Sequence, residues 1–442
     1  MKRLFLFAAL AAMFLIGGCK ADRSTVLKVY NWSDYIDESA IEEFEQWYEE
    51  QTGEKVKVIY QTFDINETML SKIERGKEDF DVVCPSDYII ERMLQNDLLL
   101  PLNRDFGETP NYIDENLSPY IRAQFDKIDG GDKNANDYAV GYMWGTTGIL
   151  YNAKYVTDEE ASTWDVICNE KFRDRIFIKD SPRDVYSQII LYLHQKDIEE
   201  GRVTMDQLMK YTNDEDIAAV ETYMKRAKEL VAGWEADFGK DQMTQELGWV
   251  NLTWSGDGVW AIQEAKEVGV DLRYVCPKEG FTVWFDGWVI PKYAQNVKAA
   301  NYWINFMSRP DIVIRNVDAT GYVSVSGAPE VMDEFTDESL EPIDVSYFFG
   351  PSATAVRLDP VLYPDKETIA RSTMEHDWGE HTADLVSMWS RVKGNTMNIS
   401  TIIILAVAAL AVILLLVSRM RKSKSSRRPN KYSGKMPVSA DK

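Results

Sequence analysis

Residues 26–94 read VLKVYNWSDYIDESAIEEFEQWYEEQTGEKVKVIYQTFDINETMLSKIERGKEDFDVVCPSDYIIERML. A short apolar run over 26–30 precedes Ile41, Phe44, Trp47 and Tyr48 at helical spacing, and Gly53 is suited to stop that helix. Residues 56–60 read as a second strand, and Met69, Leu70 and Ile73 mark a second helix. A third strand over 80–84 ends at Pro85, and Ile89, Met93 and Leu94 mark a third helix. This βαβαβ alternation predicts a mainly parallel, buried sheet with helices on both faces. Ligands bind such sheets beyond the carboxyl ends of the strands. The loops to inspect are therefore Asn31-Trp32-Ser33-Asp34-Tyr35, Thr62-Phe63-Asp64-Ile65-Asn66-Glu67 and Pro85-Ser86-Asp87-Tyr88.

The alternation resumes beyond Tyr138. A strand over 176–178 runs into Lys179-Asp180-Ser181-Pro182-Arg183-Asp184, and one over 250–254 runs into Ser255-Gly256-Asp257-Gly258. Residues 272–276 and 283–290 read as extended, the latter carrying Trp284-Phe285-Asp286, and 298–307 reads as a helix stopped by Pro310. No internal repeat or low-complexity linker interrupts this body, so the two blocks are expected to be joined by more than one crossing.

The 442 residues carry a net charge of −22, unevenly spread. Residues 19–397 hold 38 Lys and Arg against 70 Asp and Glu, a charge of −32. Such a body repels nucleic acid and anionic lipid and gathers cations. Met1-Lys2-Arg3, the apolar run over 4–16 and Gly17-Gly18-Cys19 have the zones of a secretory signal, here of lipoprotein type, with residues 1–18 removed and Cys19 lipidated. Residues 399–418 contain no charge, which predicts a transmembrane helix. The tail over 419–442 holds nine Lys or Arg against one Asp, which puts the tail in the cytosol and the body outside. The remaining Cys84, Cys168 and Cys276 form no CxxC pair, and Cys84 and Cys276 read as buried free thiols.

An aromatic recurs within a few residues of an acid: Trp32 with Asp34, Trp254 with Asp257, Trp284 with Asp286. An aliphatic ligand with cationic ends needs this combination, because rings cover its methylenes and attract ammonium through their faces while carboxylates pair the charge. Gly256-Asp257-Gly258-Val259-Trp260-Ala261 fits G-x-G-x-x-A, but Asp257 would meet a pyrophosphate, so nucleotide binding is set aside. His376 and His381 are five apart and share no helical face, and His194 stands alone, so no metal is expected. G-x-S-x-G and H-E-x-x-H are absent. Paired acids beside tryptophans leave a glycosidase as the enzymatic alternative.

Tyr30-Asn31-Trp32-Ser33-Asp34-Tyr35-Ile36, Phe63-Asp64-Ile65-Asn66-Glu67, Pro85-Ser86-Asp87-Tyr88, Trp254-Ser255-Gly256-Asp257, Pro277-Lys278-Glu279-Gly280, Trp284-Phe285-Asp286 and Leu362-Tyr363-Pro364-Asp365 together resemble the periplasmic spermidine/putrescine-binding proteins of polyamine ABC importers. The match runs in order over 26–394. The resemblance implies a two-lobed α/β periplasmic-binding-protein fold of the type II, venus-flytrap kind. Its first lobe would comprise 26–139 with 284–328, and its second 140–283 with 329–394. The C-terminal transmembrane helix is expected in addition. The resemblance places Trp32, Ser33, Asp34, Tyr35, Ser86 and Tyr88 on one wall of an interlobe site, and Trp254 and Asp257 on the other. Trp284 and Asp286 would lie near the crossing, Tyr322 and Glu375 would complete the box, and Asp184 would meet a terminal amine. Ser181 stands where the spermidine-preferring branch has a further acid, and Glu375 where it has a neutral amide. Putrescine and spermidine both remain open.

The expected role is thus binding without catalysis: capture of a polyamine, lobe closure and delivery to an inner-membrane ABC permease, by a monomer on the periplasmic face that uses no cofactor and no nucleic acid. A sugar-active or sugar-binding protein and a membrane-tethered polyamine sensor are the alternatives.

Overall fold

The computed structural model describes residues 23–394 apart from Asp237. The first βαβαβ block forms as its periodicity requires. β1 (Val26–Trp32) pairs in parallel with β2 (Lys57–Phe63) and with β3 (Val82–Val83). Helix Ser39–Thr52 buries Ala40, Phe44, Trp47 and Tyr48 on one stripe and ends at Gly53, whose φ of 72° is the left-handed conformation that glycine adopts without strain. Helices Asn66–Glu74 and Asp87–Gln95 follow β2 and β3.

β4 (Leu99–Leu100) is a short edge, and β5 (Ala139–Asn152) is the longest strand, with all fourteen residues buried. The second block consists of β6 (Ile176–Lys179), β7 (Val231–Glu235), β8 (Val250–Trp254) and β9 (Leu272–Val275). β10 (Phe281–Pro291), β11 (Val323–Ser324) and β12 (Ser372–Met374) complete a sheet ordered β2-β1-β3-β10-β5-β8-β6-β7. β11 and β9 pair with β5, and β4 and β12 pair with β10.

The two lobes meet along β5. Its first half pairs antiparallel with β10, from Ala139 opposite Val289 to Thr146 opposite Val283. Its second half pairs antiparallel with β8, starting at Thr147 opposite Trp254. The strand therefore changes partners between two adjacent threonines. A register shift at Asp286/Gly287 of β10 leaves Tyr142 as an extra residue on β5, a bulge that bends the strand beside the crossing.

The mainly parallel sheet expected above holds within each lobe, where β6 pairs in parallel with β7 and β8. The centre differs, because β10 is antiparallel to β3 and β5, and β5 is antiparallel to β8, while β12 alone pairs with β10 in parallel. Pro310 does more than stop a helix: Val297–Met307 ends before it, and Pro310 opens the next helix, Pro310–Thr320, at a position whose amide needs no partner. Cys84 and Cys168 are buried free thiols and Cys276 is a half-buried one.

The expected fold class needs one correction. Among the described residues no helix is long and apolar enough to cross a membrane, so the architecture they form is the two-lobed α/β body alone, and the expected membrane-spanning helix is not part of it. The segment 399–418 on which that expectation rested lies outside the described residues, as do 1–18, Cys19 and 419–442.

Candidate ligand-binding site

Strand ends from both lobes converge where β5 changes partners. Trp32 closes β1, Ser86 follows β3, Trp254 closes β8, Lys179 closes β6 and Glu375 follows β12. Trp284 and Asp286 are two apart on β10 and so face the same side.

Asp286 is the best-organised group. Tyr35 donates its phenol to one carboxylate oxygen at 2.8 Å, and the Ser86 hydroxyl donates to the other at 2.7 Å. Asn66 in turn donates its amide to Ser86 and Tyr88 hydroxyls at 3.0 Å each. Burial, joined by the charge of Asp184, pushes the Asp286 carboxyl up to about 6 against the hydrogen bonds from Ser86 and Tyr35.

Asp184 lies at the start of helix Pro182–Leu193 and accepts from Trp254 Nε1 at 3.0 Å and from the Ser181 hydroxyl. Glu375 is 4% exposed, and its Oε1 has no hydrogen-bond partner among the described residues. Burial first and the Asp184 charge second push its carboxyl up to about 8, while Arg183 opposes the shift. Asp87, buried beneath Tyr88, accepts from the Tyr88 and Phe285 amides and is held well above the ordinary carboxylate range by burial and by the charges of Glu375 and Asp286. Four carboxyl groups thus act on one another. The Arg183 guanidinium sits between the Tyr88 and Trp378 rings, 3.8 and 4.1 Å from their centroids.

Rings supply the walls. Tyr322 meets Tyr35 and Trp284 edge to face, each at 5.5 Å. Gly145 lies flat beneath Trp284, and a Cβ there would come within 2.4 Å of its ring. Gly256 does the same for Tyr322, where a Cβ would come within 2.3 Å. The buried Nε1 atoms of Trp32 and Trp284 have no hydrogen-bond partner among the described residues.

The structure therefore brings Tyr35, Ser86, Tyr88, Asp184, Trp254, Trp284, Asp286, Tyr322 and Glu375 together. Trp32 packs against Phe63 at 4.5 Å. Ser33 and Asp34 sit apart on an exposed turn, where Ser33 donates to Asp64 at 2.9 Å and Asp34 has a φ of 53°. Asp257 also has a different setting from the one expected. Its Oδ2 accepts from Lys179 Nζ at 2.6 Å, and its Oδ1 accepts from the Tyr322 phenol at 3.2 Å.

Sequence reasoning passed over Lys179, Arg183, Asp87 and Asn66 as site residues. The signal for the first two was a pair of bases at a strand end within an acidic body.

A cavity of about 180 Å³ lined by Asp214, Ile217, Glu221, Asp384 and Arg391 lies apart from this cluster, and Arg391 and Glu221 already pair across it at 2.6 Å. Among the described residues no group of His, Cys, Asp and Glu could hold a metal ion.

Residues 40–339 match the family model of bacterial extracellular solute-binding proteins. The chain belongs to that family. This solute-binding protein is 26% identical over 390 residues to the spermidine/putrescine-binding periplasmic protein of Escherichia coli, covering 88% of this chain and 97% of that protein. It is 29% identical over 330 residues to the putrescine-binding periplasmic protein PotF of the same organism, covering 72% and 82%. The crystal structure of the spermidine/putrescine ABC transporter substrate-binding protein PotD from Streptococcus pneumoniae superposes with a TM-score of 0.62 at 27% identity, covering 84% of this chain and 99% of that one.

Proposed function

We propose that this solute-binding protein captures a polyamine of the putrescine/spermidine class in the periplasm and delivers it to an inner-membrane ABC permease. The observation that carries the reading is the buried Glu375 oxygen without a partner, in a group of carboxyls that also includes Asp87, Asp184 and Asp286. A ligand ammonium supplies the missing donor and the missing positive charge together. Tyr35, Tyr322 and Trp284 cover the methylenes between the charged ends, at about 0.5–2 kcal/mol for each ring face that meets a cation.

Ammonium groups from one ligand bridge carboxylates carried by different lobes, so the ligand binds the closed arrangement more tightly than an open one. The permease then reads the closed shape. Nothing in this cycle breaks a bond of the ligand. A lipid on Cys19, after removal of residues 1–18, holds the protein at the outer face of the inner membrane; labelled fatty acid should enter the wild type and not Cys19→Ala.

Isothermal titration of the purified protein with putrescine, cadaverine, spermidine and spermine tests the reading. One-to-one binding that Asp286→Asn weakens is the expected result. No heat from any amine with demonstrably folded protein would sink it.

A further inference from the structure

Lys179 is the last residue of β6, and it is 1% exposed. Its Nζ lies 2.6 Å from Asp257 Oδ2, 3.3 Å from Glu235 Oε1 and 2.8 Å from the Ala236 carbonyl, to which it donates. It also stands over the Trp254 ring, 4.3 Å from the centroid. Aromatic face, carboxylate and buried surroundings are what a ligand ammonium would meet at this end of the site, and here a side chain of the protein already provides the ammonium. The other oxygen of Asp257 faces the Tyr322 phenol at 3.2 Å and Lys240 Nζ at 3.8 Å.

The remaining acids are answered differently. Asp286 accepts from two neutral hydroxyls, Asp184 from an indole N–H and a hydroxyl, and Glu375 has an orphan oxygen. Neutral donors satisfy lone pairs without bringing a countercharge, whereas Lys179 brings one, held closest to Asp257 and shared with Glu235.

We infer that Lys179 is a built-in ammonium that fills the Trp254/Asp257 end of the site and restricts it to amines with two charged groups. The inference rests on the polyamine reading above. A diamine places its two ammonium groups among Asp184, Asp286 and Glu375. The third ammonium of a triamine would have to share Asp257 with Lys179, at close like-charge range in a water-poor site, which is costly.

The test is titration of wild type, Lys179→Met, Asp257→Asn and the double variant with putrescine and spermidine, each variant checked for a cooperative thermal melt. Wild type should prefer putrescine. Lys179→Met should shift the putrescine-to-spermidine affinity ratio toward spermidine by about tenfold or more, the scale of one charge-assisted hydrogen bond. The double variant should return the ratio toward that of wild type, because the gain needs the Asp257 carboxylate. Asp257→Asn alone should leave the putrescine-to-spermidine ratio at or above that of wild type, because it removes the carboxylate a third ammonium would have to share and Glu235 still holds Lys179.

A folded Lys179→Met protein with an unchanged ratio would overturn the inference. So would a shift of the ratio toward spermidine in Asp257→Asn, and that arm decides the matter if Lys179→Met does not fold. Failure of the wild type to bind any amine is a separate result that removes the polyamine reading itself and the inference with it.

Discussion

Glu375→Gln tests the site most directly. The ordinary glutamate value of 4.5 is pushed up to about 8 by burial, with Asp184 adding to the shift and Arg183 opposing it. A displacement from 4.5 to about 8 corresponds to a cost on the order of 5 kcal/mol for ionising Glu375 in the ligand-free site. At pH 7 the empty protein therefore carries Glu375 protonated. An ammonium docked against the orphan oxygen favours the carboxylate, so about one proton leaves for each amine bound. Affinity should then rise about tenfold per pH unit between about 6 and 8. Below about 6, Asp286 adds a second proton and steepens the slope.

The stability sign follows from the same shifts. Both carboxyls have folded values above their ordinary ones, so they contribute stability that is present in acid and lost as pH rises through about 6 and about 8. Ligand-free Glu375→Gln should accordingly melt higher than wild type at pH 8. Its putrescine affinity should be about ten to a hundredfold lower at pH 8, with the slope between 6 and 8 flattened. The assay is titration calorimetry at pH 6, 7 and 8 in buffers of low and high ionisation enthalpy. Buffer-independent heats and a flat affinity from pH 6 to 8 in the wild type would show that Glu375 does not release a proton on amine binding.

Trp284→Ala removes a ring that meets Tyr322 at 5.5 Å and should weaken putrescine by roughly 1–2 kcal/mol, read by titration. Gly256→Ala puts a Cβ within 2.3 Å of the Tyr322 ring, so Tyr322 must move off Asp257; amine affinity should fall more than thermal stability does, and an unchanged titration would argue against Tyr322 as a wall. Glu221 has the opposite sign from Glu375: the Arg391 side chain, and Lys225 after it, hold it near 2. Its contribution is present above about 4.5 and lost as pH falls through about 2, so Glu221→Gln should cost about 1 kcal/mol or less at pH 7, seen as a small drop in melting temperature that high salt removes.

The first lobe was legible because its strands and helices carry clean periods, and β8 was read at its observed bounds, Val250–Trp254. β5 was not. Gly141, Gly145, Gly148, Thr146 and Thr147 interrupt its apolar residues, and burial on both faces erases alternation, so a fourteen-residue strand leaves no period of two. In the site, acids and tryptophans at strand ends were readable because residue type and position pointed the same way. The Lys179–Asp257 pair was not, because it joins residues 78 apart, and a lysine closing an apolar strand reads locally as an exposed end. Ser33 and Asp34 followed a motif that continues past the strand end onto a surface turn.

The exchange of partners along β5 has a consequence for how the chain folds as it is made. β3 receives its second neighbour only when Val289 of β10 settles beside Val83, 206 residues later in synthesis. Until then the first lobe carries an unfilled sheet edge, and the second lobe cannot close its own sheet without the second half of β5, the strand whose first half pairs with β10. Neither half is thus an autonomous folding unit. Nascent chains should stay protease-sensitive until β10 has been made, and the finished body should unfold in one transition rather than lobe by lobe.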